Sequence, residues 1–487
     1  MSPILVITII VVYFAALIII SIITSKGATT DTFFTANRQS PWYLVAFGMI
    51  GSSLSGITFV SVPGSVGKVG FSYFQVVLGY IVGYSVIMTV LMPLYYRLNL
   101  VSIYTYLEQR FDSWAYKTGA FFFLLSRTMG SSLRLCLSAT VLQLFLFDAW
   151  NVPFYVTVAI TIFLIWIYTF KGGIKTIVWT DAFQTIFLVS AVVISVYLIS
   201  QRLGFSLRDM IFSVKDSDYS TIFFFDDYKS DLFFPKQFLA GTFIAIAMTG
   251  LDQDLMQKNL TCKNLGEAQK NMFWLTVSIV IINFLFLTLG ALLYIYSTTK
   301  GISVPTLTDE LYPRLALNDF GLLAGIFFLL GIIASSYASA DSALASLTTS
   351  FCIDFLDFKS KPEEIKRKQK NRVHLGFSLV FLVIILISKE LNQGSLISTV
   401  LKVAGYTYGP LLGLFTFGLF TKRSLKGIIV PIVCLIPPLI SFWISSNSVE
   451  WFSGYKIGSE ILIMNGALTF LGLWIVSTKE TAAYQKI

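Results

Sequence analysis

Apolar runs long enough to cross a bilayer recur from Pro3 to Val476, and nothing constrains this chain more. In hydrocarbon every backbone N–H and C=O must be satisfied within the segment, which a helix does. Hydropathy gives about thirteen such runs, so the expected fold is an all-α membrane protein of about thirteen transmembrane helices. Composition agrees: 487 residues that are 55% hydrophobic and 13% charged, with a mean hydropathy of +0.76, are too apolar for a soluble globule. The first run lacks a basic n-region and a small-residue cleavage site, and is read as a retained span, not a signal peptide. No Gly/Ser-rich or Pro-rich linker interrupts the pattern, so residues 1–487 are expected to form a single transmembrane domain.

The net charge of +9 does not mark a nucleic-acid binder, because the basic residues are spread over short loops and form no patch with interleaved aromatics. They report topology instead. With the N-terminus outside, the loops holding Lys26 and Arg38, Lys171 and Lys175, Lys258 to Lys270 and Lys359 to Arg372 all fall inside. The opposite orientation would put the strongest basic run, Lys366–Arg372, outside. The C-terminus is then cytoplasmic, in a plasma or inner membrane. The long acidic and aromatic segment from Gln201 to Lys236 lies on the outer face. Cys136, Cys262, Cys352 and Cys434 form no CxxC pair and His374 sits in a charged loop, so no cysteine or histidine metal site is expected. No nucleophile–base set or cofactor motif suggests an enzyme.

Three stretches depart from a plain apolar span. Gly331–Ser350, GIIASSYASADSALASLTTS, follows the apolar run Leu322–Leu330, yet carries eight Ser and Thr hydroxyls and Asp341. On a helix Ser335, Ser339, Ser342 and Ser346 share one face with Ala338 and Ala345. Such a stripe suits either close helix packing or oxygen ligation of a small hard cation, and a carboxylate at this depth points to function. The second run contains GSSLSG at Gly51–Gly56, where opened backbone would survive only by lining a cavity or binding something. The plain alternative there is a tightly packed helix with an exit turn at Pro63-Gly64. The seventh run is short and ends in TGLDQDLMQKN. Counted from the second run, these two interruptions open two sets of five helices, the pattern of inverted-repeat transporters.

Four motifs in order carry a resemblance: Ser102–Phe111 (SIYTYLEQRF), Gly172–Gln184 (GGIKTIVWTDAFQ), Gly250–Leu260 (GLDQDLMQKNL) and Thr348–Asp354 (TTSFCID). Together they resemble the sodium/solute symporter family, with the sialic-acid transporters as the nearest type, over almost the whole chain. The resemblance implies a LeuT-type inverted repeat of five plus five helices, approximately residues 41–200 and 235–418, with one helix before and two after. It also implies import of a small polar organic solute with Na+ by a protein that functions as a monomer in the lipid bilayer.

Carried over position by position, the resemblance puts the main sodium site on the carbonyls of Gly51 and Leu54, the carbonyl of Ser335, and the side-chain positions Ala338 and Ser339. Ala338 departs from the pattern, since a hydroxyl is expected there; a shifted register would make Ser335–Ser336 the pair. Physically, neutral oxygens in a dry cavity suit a hard cation. A second sodium site, as in sialic-acid-type members, falls on Asp181, Asp341 and Ser342. Asp341 has an alternative as partner of Lys402, and Asp181 as the cap of a helix opening at Thr180. Ser55, Thr58, Gln75 and Arg134 match pocket positions, with Arg134 the carboxylate ligand and Arg127 a less favoured one. A buried guanidinium asks for an anion, so a carboxylated sugar such as sialic acid is the first choice of solute. A neutral sugar or inositol is the alternative, weakened because FIAIAMTG in the seventh run lacks the Asn and aromatic pair of sugar-transporting relatives. A sensor or channel on the same helices is disfavoured, since family sensors append a kinase domain.

Overall fold

The computed structural model describes residues 3–479 apart from 28, 171, 357, 359, 360 and 392–395, so Lys171 and Lys359, used above for topology, lie outside the described residues. The chain is helical almost throughout; among the described residues the one sheet is a pair of two-residue strands, Arg423–Ser424 and Thr478–Lys479. By length and apolarity eight described helices can cross a membrane, or nine if the bent pair Trp42–Ser53 and Gly56–Val69 is one span. That is fewer than the apolar runs in the sequence. The difference lies in the short helices Phe154–Thr169 and Ile461–Val476, in the long helix Ser113–Leu142, whose Ser, Thr, Lys and Arg residues lower its apolarity, and in the seventh run, where Phe234–Ala245 passes into the π-helix Ile246–Gly250 before Gln253–Asn259 begins.

Burial sorts the helices into a centre and a rim. From Phe328 to Ser350 every residue of the helix Leu322–Ser350 is buried. A helix shielded all round belongs at the middle of a bundle, and this one packs on Gly173–Leu203, Ser113–Leu142 and both halves of the bent pair. Pro3–Thr24 and Ile429–Trp451 are mostly uncovered, with Ile4, Val12, Leu439 and Trp443 all more than 60% exposed, as lipid-facing helices should be.

Close backbone approach fixes the layout where the two halves meet. Phe234–Ala245 lies along Tyr73–Val86, and a Cβ added to Gly83 would stand 2.5 Å from the Thr242 carbonyl oxygen. Small residues at such crossings let dispersion contacts replace the hydrophobic drive that lipid cannot supply. One sequence expectation needs correcting here. The helix bearing Asp181 starts at Gly173, where φ is +53°, and not at Thr180. Asp181 therefore sits in its third turn, fully buried, and caps nothing.

Candidate cation and solute sites

The bent pair breaks at Leu54 and Ser55, whose ψ angles of 84° and 166° leave the helical region, and the axis turns by 59°. Leu54 N–H still donates to the Ile50 carbonyl at 2.8 Å, and pairing resumes with Phe59 N–H to the Ser55 carbonyl at 3.0 Å. The last carbonyls of a helix have no donor within it, which places those of Gly51 to Leu54 at the gap. The gap faces the serine-rich helix: a Cβ on Gly56 would meet Ser336 Oγ and lie 3.4 Å from Ser335 Oγ, and one on Gly51 would lie 3.7 Å from Ala338 Cβ. Ser335 Oγ donates to the Ile332 carbonyl at 3.1 Å, and Ser336 Oγ accepts a short bond from Ser138 Oγ. Ser339 Oγ is buried and has no partner among the described residues. Both hydroxyls of the shifted register are thus engaged, while the one at Ser339 is open. Thr185, which the sequence motifs do not single out, joins the elements: its Oγ1 accepts from Gly51 N–H at 3.1 Å and donates to the Asp181 carbonyl at 2.8 Å.

Beside the gap lies a buried charge cluster. Asp181 Oδ2 meets Lys258 Nζ at 2.5 Å, and the same ammonium donates to Ser52 Oγ at 2.7 Å. Asp341 Oδ2 accepts from the Tyr168 hydroxyl at 2.9 Å. The Oδ1 atoms of Asp181 and Asp341 have no partner among the described residues. Lys402 is exposed and forms no ion pair with Asp341, so that expected pairing does not occur. Nor does Ser342 join the aspartates. Its Oγ donates to the Asp254 carboxylate, because consecutive residues point about 100° apart around a helix. Lys258 and Tyr168 are the contributions sequence reasoning missed; Lys258 entered it only within the Gly250–Leu260 motif and as a basic residue of an inner loop, whereas it is buried at the end of the helix Gln253–Asn259.

A cavity of about 100 Å³ opens at the break. Ser52, Ser53, Ser55, Thr58, Tyr73, Tyr80, Tyr84, Thr249, Arg127 and Arg134 supply its polar wall, and Ile244, Ala245, Met248 and Ile279 much of the apolar one. Arg134 makes no hydrogen bond or ion pair with the protein among the described residues, whereas Arg127 is committed. Arg127 NH2 is paired with Asp254 Oδ2, and NH1 lies 3.9 Å from Asp252 Oδ2, which also accepts from the Tyr408 hydroxyl at 2.5 Å. Gln75 does not line this cavity, contrary to the sequence reading. Its Nε2 donates to the Leu232 carbonyl at 2.9 Å and its Oε1 accepts from Phe224 N–H at 3.2 Å, so the amide holds the 224–232 loop.

Broken helices with open carbonyls at bilayer depth define a class, the membrane carriers that bind ions or solutes at the break. The model described as the sodium:solute symporter family matches residues 33–427, and the chain belongs to that family. It is therefore a sodium-coupled solute transporter of a multi-pass membrane family, not an enzyme. Among its relatives, the sodium/sialic acid symporter NanT of Aliivibrio fischeri is 25% identical over 460 residues, covering 91% of this chain and 88% of that one. The sodium-coupled monocarboxylate transporter 2 of Bos taurus is 27% identical over 456 residues, 89% of this chain and 72% of that one. A solved Na+-coupled sialic acid symporter in a substrate-bound outward-open state superposes with a TM-score of 0.83 at 19% identity, over 98% of this chain and 99% of that one. At that identity the likeness establishes the fold, the LeuT-type arrangement.

Proposed function

We propose that this symporter imports a small carboxylated solute with sodium, an acidic sugar of the sialic-acid type being the first choice. The observation that carries this reading is Arg134, a guanidinium lining the cavity with no hydrogen-bond or ion-pair partner among the described residues. Arg134 is partly withdrawn from water; a cation so enclosed is favoured by an anion beside it, and a solute carboxylate would form a bidentate pair with it. A neutral sugar or inositol would supply no such anion. The relatives named for sialic acid and for monocarboxylates share this one chemical demand. A compact monocarboxylate is the second reading, favoured by a cavity of about 100 Å³, well below the roughly 300–1,000 Å³ usual for drug-sized ligands.

Sodium in this reading is held by the Gly51 and Leu54 carbonyls, the Ser335 carbonyl and the Ser339 hydroxyl, with Ala338 offering only a methyl group. The ion ties the broken helix to the serine-rich helix, with Ser55 and Thr58 presented to the solute beside Arg134. Release follows when the sets at approximately 41–200 and 235–418 rock to face the cytoplasm, the side that the basic loops and the C-terminus occupy. The test is uptake of labelled sialic acid and labelled lactate into proteoliposomes, with and without an inward sodium gradient. Arg134→Ala should lower affinity for the carboxylated solute by about 2–5 kcal/mol, roughly 30-fold or more, and leave sodium binding in place. Uptake indifferent to sodium, or full affinity in Arg134→Ala, would refute the assignment.

A further inference from the structure

The acidic pair near the break calls for a positive charge, and the chain supplies one. We propose that the Lys258 ammonium is the built-in cation of the Asp181 site, so that the protein binds one sodium ion, at the Gly51–Ser339 site, and none at Asp181. This rests on the sodium-coupled reading above and adds the ion count.

Three observations place Lys258 in that role. Its Nζ is 2.5 Å from Asp181 Oδ2 and 2.7 Å from Ser52 Oγ, one carboxylate and one hydroxyl, which are oxygen types that would also suit sodium. The side chain is 1% exposed and Asp181 0%, so neither charge has water as an alternative partner. An ammonium buried in this way persists only when paired. The contact also joins the elements that a bound ion would join. Ser52 belongs to the first half of the broken helix, Asp181 to Gly173–Leu203, and Lys258 to Gln253–Asn259, the helix that follows the interruption in the second set. Meanwhile Ser342, the hydroxyl expected at a second sodium site, has turned away to Asp254. The competing arrangement keeps Lys258 in place and puts a sodium between the partnerless Oδ1 atoms of Asp181 and Asp341.

Equilibrium binding of radioactive sodium to the purified full chain, in NaCl balanced with choline chloride and without solute, separates the two. One ion per chain with a Hill coefficient of one is expected; two ions per chain in the unaltered protein would overturn the proposal and support the competing arrangement. Lys258→Met should expose Asp181 and raise the count to two, while Lys258→Met combined with Asp181→Asn should return it to one. A folded Lys258→Met that still binds a single ion would also overturn it. If Lys258→Met does not fold, the count in the unaltered chain and in Lys258→Arg, expected to be one in both, still decides the matter. Failure of the transport reading looks different: sodium would bind as described, yet no carboxylated solute would be taken up.

Discussion

Ala338 is the residue at which this chain departs most clearly from a hydroxyl-lined cation site, and it abuts Gly51 at the helix break. Ala338→Ser should lower the half-saturating sodium concentration, and Ser339→Ala should raise it. Each change is worth about 0.5–1.5 kcal/mol, or roughly 2- to 10-fold, readable by sodium titration of solute uptake. The buried charges divide instructively. Asp181, Asp341 and Arg134 stood out in the sequence because an ionisable residue in an apolar run announces itself. Lys258 and Tyr168 did not, since one lies in a polar boundary segment and the other is an ordinary aromatic in a span; their pairing with Asp181 and Asp341 exists only in three dimensions. Gln75 was misread for a related reason. An amide serves a cavity or a loop equally well, and here the 224–232 backbone takes both of its ends.

The broken helix works as an element because its first half is pressed onto the helix of Asp181. A Cβ on Gly48 would lie 3.0 Å from Asp181 Cβ and 3.2 Å from both Ala182 N and the Val178 carbonyl, backbone atoms that have little room to yield. Gly48→Val should therefore destabilise the protein by about 1–3 kcal/mol through overpacking. Gly130→Ala, on a helix face where an added Cβ meets nothing within 4 Å, should be neutral or stabilising. Thermal unfolding of the detergent-solubilised protein, followed by tryptophan fluorescence, ranks the two; equal stability would mean that the two helices are not packed this closely. The break itself was legible, because GSSLSG in mid-span weakens a helix. The start of the Asp181 helix was not, since Lys175 delays the apolar run beyond Gly173, where the backbone is already helical.

At the scale of the whole molecule, the succession of apolar runs was enough to expect a helical membrane bundle, and the order of motifs was enough to expect the family. The orientation expected from the basic loops can be checked directly. The four cysteines are buried, which gives a quiet background for Asp226→Cys and Lys368→Cys. A membrane-impermeant maleimide added to intact cells should label the first and spare the second; the reverse would invert the topology. The lysine at Asp181 has a consequence for the energetics of accumulation. A carrier that moves one sodium with one monoanionic solute transfers no net charge per cycle, so it draws on the sodium gradient alone and is indifferent to voltage. A second sodium would have added about 2.3 kcal/mol per 100 mV, roughly a fiftyfold steeper solute ratio. By carrying its own cation at Asp181, this chain forgoes that steepness and gains an accumulation ratio that a collapsing membrane potential does not touch.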